Sequence, residues 1–332
     1  MSVAVNSGYY GAGTTDNYVG KFIPEIWSGK LQEKFYESTV LAAISNNKWE
    51  GEIRDQGDKV KIRTVPTINI NNYTKGLALT SQVPETSIIE LNIDKGKYFQ
   101  VVADDIDKTQ ADLKLMDIFS NEAAQQMKIT IDTDVLTGLV NTAATGNKGR
   151  TAGVISGDLD LGDGVNATTA SRRSMVITSA TSTATKRSPI DYLIDMGQAM
   201  DEQNLPEDGR FVVVPAWFAA MIKKSDLRDA SISGDGQSIS RNGRVGVLDR
   251  FTVYVSNLLP FQTSITDTDA GTGKKAFHVF AGIKEGLTFA SQITKVETMR
   301  SQTTFGDIMR GLNVYGYKVV TPKAMVEGFV SR

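Results

Sequence analysis

Asn242–Ile283 reads NGRVGVLDRFTVYVSNLLP, then a Thr-, Asp- and Gly-rich turn, then KKAFHVFAGI, with KEGLTFASQITKVE directly after. Two runs rich in β-branched and aromatic residues, Phe251–Val255 and Ala276–Phe280, flank the turn and read as strands. No catalytic side chain is evident in either. His278, the single histidine of the chain, sits inside an apolar run, where a lone imidazole is ordinarily packed or hydrogen-bonded.

Upstream, residues 1–20 carry Gly, Ser, Thr, Asn and Tyr in irregular order and read as a mobile arm. From Phe22 the apolar residues Phe22, Ile26, Leu31, Phe35 and Tyr36 recur at helical spacing, and Val40, Leu41 and Ile44 extend the pattern toward Trp49. Residues 51–104 read as a long two-stranded β arm. KVKIRTV puts Val60 and Ile62 on one face and Lys59, Lys61 and Arg63 on the other. IELNID answers with Ile89, Leu91 and Ile93 against Glu90, Asn92 and Asp94. One polar face is basic and the other acidic, which suits antiparallel pairing. Pro66 and Pro84 bracket a tip of 17 residues containing Lys75 and Gly76, too long for a tight hairpin.

Thr109 with Asp112 opens a capping-box-like helix start. Met116, Phe119, Ala123, Met127, Ile131, Val135 and Leu139 then form one stripe, predicting a rod on the order of 40 Å. Residues 141–188, rich in Thr, Ser, Gly and Ala, read as a surface insertion outside the core. Pro189–Gln203 reads as a second helix, and GRFVVVPAWFAAMIKK as a buried strand running into a short helix. Residues 224–244 are polar and Gly-rich, a loop. SQITKVETMRS and FGDIMRGLNVYGYKVVTPKAMV close the chain as strands.

At 332 residues and 40% apolar composition the chain can bury two or three cores. Its net charge of −2 argues against gripping nucleic acid as the main task. The absence of cysteine removes disulfides, Cys-ligated zinc and Cys nucleophiles, and one histidine leaves room for a single His-based triad at most. No secretory signal is visible and no apolar run approaches the ~18 residues of a membrane span, so a soluble protein made in the cytoplasm is expected.

Gly246, Phe251, Val253, Ser256, Asn257, Leu259 and Pro260, followed by Ala281, Gly286, Leu287, Phe289 and Ala290, resemble the distal part of tailed-bacteriophage major capsid proteins of the Hong Kong 97 type. The order of elements from about residue 20 onward matches as well, and the 303–322 run is the other specific part. The resemblance implies an α+β fold divided into an N-terminal arm (1–50), an extended β loop (51–104), the spine helix of a peripheral domain (105–140) and an insertion (141–188). An axial domain (189–286), a peripheral strand (287–304) and a return to the axial domain (305–332) follow. It further implies a structural protein whose hexamers and pentamers tile an icosahedral shell around double-stranded DNA in the virion, assembled in the host bacterial cytoplasm. Implied partners are copies of itself, a separate scaffolding protein, a portal protein and non-specifically contacted DNA, with no membrane and no cofactor. An encapsulin-like compartment and a tail or adhesion protein are the alternatives.

Other motifs yield little chemistry. DAGTGKKAF at 269–277 lacks the first glycine and the Ser or Thr of a phosphate loop. Asp158, Asp160 and Asp163 are weak calcium candidates, because Gly162 stands where a ligand is needed and no Glu closes the loop. Asp104, Asp105 and Asp107 read as a solvated strand-to-helix junction. Some capsid relatives form a Lys–Asn crosslink assisted by a Glu; Lys75 stands about where such a lysine lies, without an identifiable acceptor. With no second layer over the arm, Val60, Ile62, Ile89, Leu91 and Ile93, together with Lys75, are expected to contact a neighbouring subunit.

Overall fold

The computed structural model describes residues 39–49, 59–66, 68–105, 115–164, 174–178, 186–224, 246–265, 274–301 and 305–332. The expected mobile N-terminus, the helical pattern from Phe22 to Phe35, the Thr109 helix start and the 224–244 loop fall almost wholly outside these residues.

The organising element is a mixed sheet of eight strands. Its members are β4 (Met175–Ile177), β5 (Lys186–Arg187), β6 (Arg210–Val214), β7 (Val247–Leu248), β8 (Phe251–Val255), β9 (Phe261–Ile265), β10 (Lys274–Ile283) and β13 (Met325–Ser331). The order is β5-β4-β13-β10-β6-β8-β7, with β9 also paired to β10. Every residue of RFVVV in β6 is buried, the pattern of a strand covered on both faces. Strand period divides the cover. Val212, Val214, Val279, Ala281, Val326 and Val330 belong to one core, together with helices α3 (Pro189–Glu202) and α4 (Ala216–Lys224). Phe211, Val213, Phe280 and Met325 belong to the other, together with α1 (Leu41–Ile44) and the end of the spine helix α2 (Leu115–Gly138). Helix α3 starts where Ser188 Oγ accepts the Asp191 N–H at 3.1 Å, with Pro189 in its first turn.

A second sheet joins three long strands in the order β11-β12-β3, where β11 is Leu287–Arg300, β12 is Gly306–Val319 and β3 is Lys95–Asp104. Its antiparallel register runs from Leu287↔Val319 to Arg300↔Asp307, and from Gly306↔Asp104 to Tyr315↔Lys95. The spine helix joins this sheet through Asp134, whose carboxylate accepts from Lys95 Nζ at 3.0 Å and Tyr315 Oη at 2.9 Å. Lys95, Tyr315 and hydrogen bonds hold that carboxyl below its usual range despite partial burial. Ile131, Val135, Leu136 and Leu139 are buried, whereas Met127 is only half-buried.

Two expected boundaries move. Residues 95–104 leave the arm and pair with β12. Residues 306–319 likewise lie in the three-stranded sheet, so within 305–332 only β13 returns to the large one. The described part of 141–188 is not a surface excursion. Ala152, Leu159, Leu161, Met175 and Ile177 are all buried in the α3/α4 core. The Leu161 carbonyl accepts from the Phe329 N–H at 2.8 Å and from Tyr192 Oη at 2.9 Å. A Cβ on Gly162 would lie 2.2 Å from the Phe329 carbonyl, so glycine stands there because β13 passes too close for a side chain.

Candidate assembly surfaces

The arm pairs β1 (Lys59–Arg63) with β2 (Ile88–Asn92) antiparallel, in the register Val60↔Leu91 and Ile62↔Ile89. Lys59 and Lys61 face Glu90 at 4.0 and 3.8 Å, all three exposed, so these pairs set register more than stability. The root of the arm is covered by its own chain. Leu91, Ile62 and Ile93 are buried in one cluster with Ala290, and Trp49, Val60, Ile89, Val314 and Val320 pack against it. The arm backbone crosses β12 at Gly316, where a Cβ would meet the Asn92 carbonyl at 2.0 Å. The expectation that the arm lacks a second layer is corrected for Ile62, Leu91 and Ile93, which β11 and β12 cover, whereas Val60 and Ile89 stay half-buried.

Beyond the root the situation reverses. Val65, Ile70, Leu79 and Val83 are 92%, 92%, 81% and 86% exposed, and Ile68, Tyr73 and Leu77 are also exposed. The tip holds its shape through its own bonds: Gln82 exchanges hydrogen bonds with the Asn69 backbone at 3.1 and 2.8 Å. The Leu77 N–H donates to the Thr74 carbonyl at 3.0 Å around Gly76, whose φ is +91°. Lys75 is exposed at this turn. A run of bare aliphatic residues on a preformed element is the signature of a contact surface.

A second feature is a cleft of about 380 Å³ between α1, the spine helix and the three-stranded sheet, walled in part by Leu41, Ile131 and Phe289. Asp132 and Asn313 also line it, and the Asp132 carboxylate takes backbone hydrogen bonds from Val40 and Leu41. Asp132 is 1% exposed; its Oδ2 accepts the Val40 N–H at 2.9 Å, and burial pushes its carboxyl up. No sequence motif marks this cleft, because its parts come from three distant segments.

The chemistry candidates resolve as structure. His278 Nδ1 lies 2.9 Å from Glu327 Oε1 and Nε2 lies 3.3 Å from Gln262 Nε2, with both His278 and Glu327 buried. Glu327 Oε2 also accepts the Asn141 N–H at 2.7 Å. No nucleophile adjoins this imidazole in those bonds; the group ties β10, β13, β9 and the turn after the spine helix. Asp158 is exposed, and Asp160 accepts the Gly162 N–H at 3.1 Å and faces Arg150 at 3.7 Å. Among the described residues no group of three or more His, Cys, Asp or Glu side chains is placed to hold a metal. Asp105 accepts from Arg300 Nη1 at 3.0 Å, at the turn end of the β11–β12 hairpin. Asp107 and residues 269–273 of the loop-like motif lie outside the described residues. No helix among the described residues is long and apolar enough to cross a membrane.

A model of the phage capsid protein family matches residues 88–328. No curated protein matches. Among solved structures, a chain of Mycobacterium phage Che8 is 26% identical, with a TM-score of 0.70 over 93% of this chain and 97% of that one. The capsid of the cyanophage P-SCSP1u matches at 16% identity and TM-score 0.64, covering 93% of each chain. The mature capsid of bacteriophage PhiM1 matches at 15% and 0.61, covering 98% of each. The fold as a whole is thus shared with these chains. The protein has the Hong Kong 97-type α+β capsid fold and belongs to the phage capsid protein family.

Proposed function

We propose that this chain is the major structural subunit of a phage head, assembling as hexamers and pentamers into an icosahedral shell around double-stranded DNA. The observation that carries the reading is the outer half of the arm. Its aliphatic residues are folded into a defined turn yet uncovered by their own chain, and a second copy in a closed shell would cover them. Many moderate interfaces per subunit then stabilise the shell collectively. The work is assembly rather than catalysis, in keeping with an imidazole that, among the described residues, is held by Glu327 and Gln262. A separate scaffolding protein and a portal protein would act with it in the host bacterial cytoplasm, DNA would be contacted without sequence preference, and the finished location would be the virion.

The test joins microscopy with proteolysis. Purified subunits, with and without a candidate scaffold, are imaged by negative stain and digested in parallel. Free subunits are expected to be cut near Asn71–Lys75, and shells to resist, since assembly protects only the docked form. Equal cleavage in both states refutes the arm as an intersubunit clasp. Tubes or fibres in place of closed shells point to a tail protein, and shells enclosing an enzyme instead of DNA point to an encapsulin-like compartment.

A further inference from the structure

We infer that His278 is the proton-operated catch of a latch: a proton added to its ring parts strand β9 from the segment that ends at Gly164. The latch is a directed chain of hydrogen bonds through segments far apart in sequence. Gln262 Nε2 on β9 donates to the Gly164 carbonyl at 2.9 Å and lies 3.3 Å from His278 Nε2. The carbonyl fixes the amide, because turning it over would set one oxygen against another. With an NH2 group facing it, His278 Nε2 is the acceptor nitrogen, and the ring hydrogen sits on Nδ1. Nδ1 then donates to Glu327 Oε1 at 2.9 Å, and Glu327 Oε2 accepts the Asn141 N–H at 2.7 Å. Asn141 follows the spine helix in left-handed backbone, at φ +65°. A neutral imidazole thus satisfies every partner in the chain.

A second proton changes one contact. It lands on Nε2, where an amide nitrogen has no lone pair to accept it. Gln262 then either turns its oxygen to the ring, which takes the donor from Gly164, or separates from the ring. The Glu327 contact becomes an ion pair and holds. The ring has no room to step aside: it is 2% exposed, its centroid lies 4.8 Å from that of Phe329, and a Cβ on Gly164 would stand 2.6 Å from its Cε1. Strand β9 is the part that can give, because its register with β10 is irregular between Lys274 and Ala276. The charged groups around the pair are Glu327 itself and Asp163, Lys148 and Arg150, which line with it a cleft of about 300 Å³. On α3, Tyr192 stays neutral, since burial pushes its hydroxyl well up. Imidazole is the side chain that ordinarily changes charge between about pH 5 and 8, and His278 is the single one in the chain.

Free subunits of the full chain test the latch, because isotope-labelled histidine gives one unambiguous pair of ring-nitrogen NMR signals. At about pH 7.5 the hydrogen should reside on Nδ1; a hydrogen on Nε2 refutes the chain of bonds. Hydrogen exchange, corrected for its intrinsic pH dependence, is then followed from about pH 7.5 to 5.5. Protection of residues 158–164 and 261–265 should fall about tenfold, with the midpoint of the ring titration, while 306–319 keeps its protection. An equal fall in 306–319 means general weakening by acid and refutes the latch. So does a ring that titrates without any change at 261–265, or one that does not titrate over this range. Gln262→Leu, at a half-buried position, removes the amide without touching the ring. Both segments should then exchange faster at the higher pH and show no further response to acid. A response as large as that of the unsubstituted chain overturns the inference.

Discussion

Leu161→Ala tests whether the 141–188 segment belongs to the core. Leu161 is fully buried in the α3/α4 core. Its N–H donates to the Gly149 carbonyl at 3.0 Å, and its carbonyl accepts from Phe329 N–H and Tyr192 Oη, at 2.8 and 2.9 Å. The backbone is thus fixed on both sides and cannot collapse into the space left by the lost methyl groups. Leu→Ala at rigid buried sites costs about 2.7–5 kcal/mol, and about 3 kcal/mol is expected here. At ~2.1 cal/mol/K of unfolding entropy per residue, that corresponds to a fall in Tm of roughly 4 °C for a chain of 332 residues. The control is Ile155→Ala in the same segment; Ile155 is 80% exposed and its truncation should stay within about 0.5 kcal/mol. Urea unfolding of unassembled subunits is the assay, with a shift in midpoint at constant slope as the expected signature. If the two variants unfold at the same urea concentration, the segment is peripheral and the core assignment is wrong.

Gly316→Ala should loosen the arm root, because its Cβ would lie 2.0 Å from the Asn92 carbonyl; faster proteolysis of residues 59–92 in the free subunit is the readout, and unchanged kinetics would count against the crossing. Glu327→Leu leaves His278 and the Asn141 N–H without their buried acceptor, a loss of about 2–5 kcal/mol in thermal melts, whereas Glu327→Gln, which keeps an acceptor, should lose less. Glu202, bonded by the Ile155 and Ser156 amides and by Gln198, is lowered from 4.5 to about 2. A depressed carboxyl stabilises fully above its unfolded value, so this support for the 153–157 turn is complete above about pH 4.5 and fades as pH falls toward 2. The Ile155 and Ser156 amide resonances should titrate near 2, and a midpoint near 4.5 would exclude the contact.

Much of the fold was legible because its strands obey simple periods. KVKIRTV and IELNID, with opposite charge on the polar faces, read as an antiparallel pair, and β1 and β2 pair so. RFVVV reads as buried on both faces and is so. Two parts were hidden for the same physical reason: their cover comes from far along the chain. DLDLG at 158–162 looks like a solvated turn because only Leu159 and Leu161 are apolar between acids and glycine, too short a run to show a period. Gly162, which counted against a calcium loop, is there to let β13 pass. The spine-helix stripe was visible, but not that, among the described residues, its cover is complete only toward the C-terminal end. Met127 is half-buried while Val135 and Leu136 are fully covered. Met127→Asp should therefore weaken the subunit rather than abolish it.

The arm shows how a correct element can mislead about its surface. Five aliphatic residues on a two-stranded ribbon lack a second layer when the ribbon is considered alone. Ala290, Val314, Val320 and Trp49 provide that layer within the chain, so Leu91→Lys buries an unpaired charge in the subunit's own structure and should damage the fold. The uncovered surface then lies further out, at Val65–Val83, where Pro66, Asn71, Gly76 and Pro84 read merely as a long loop.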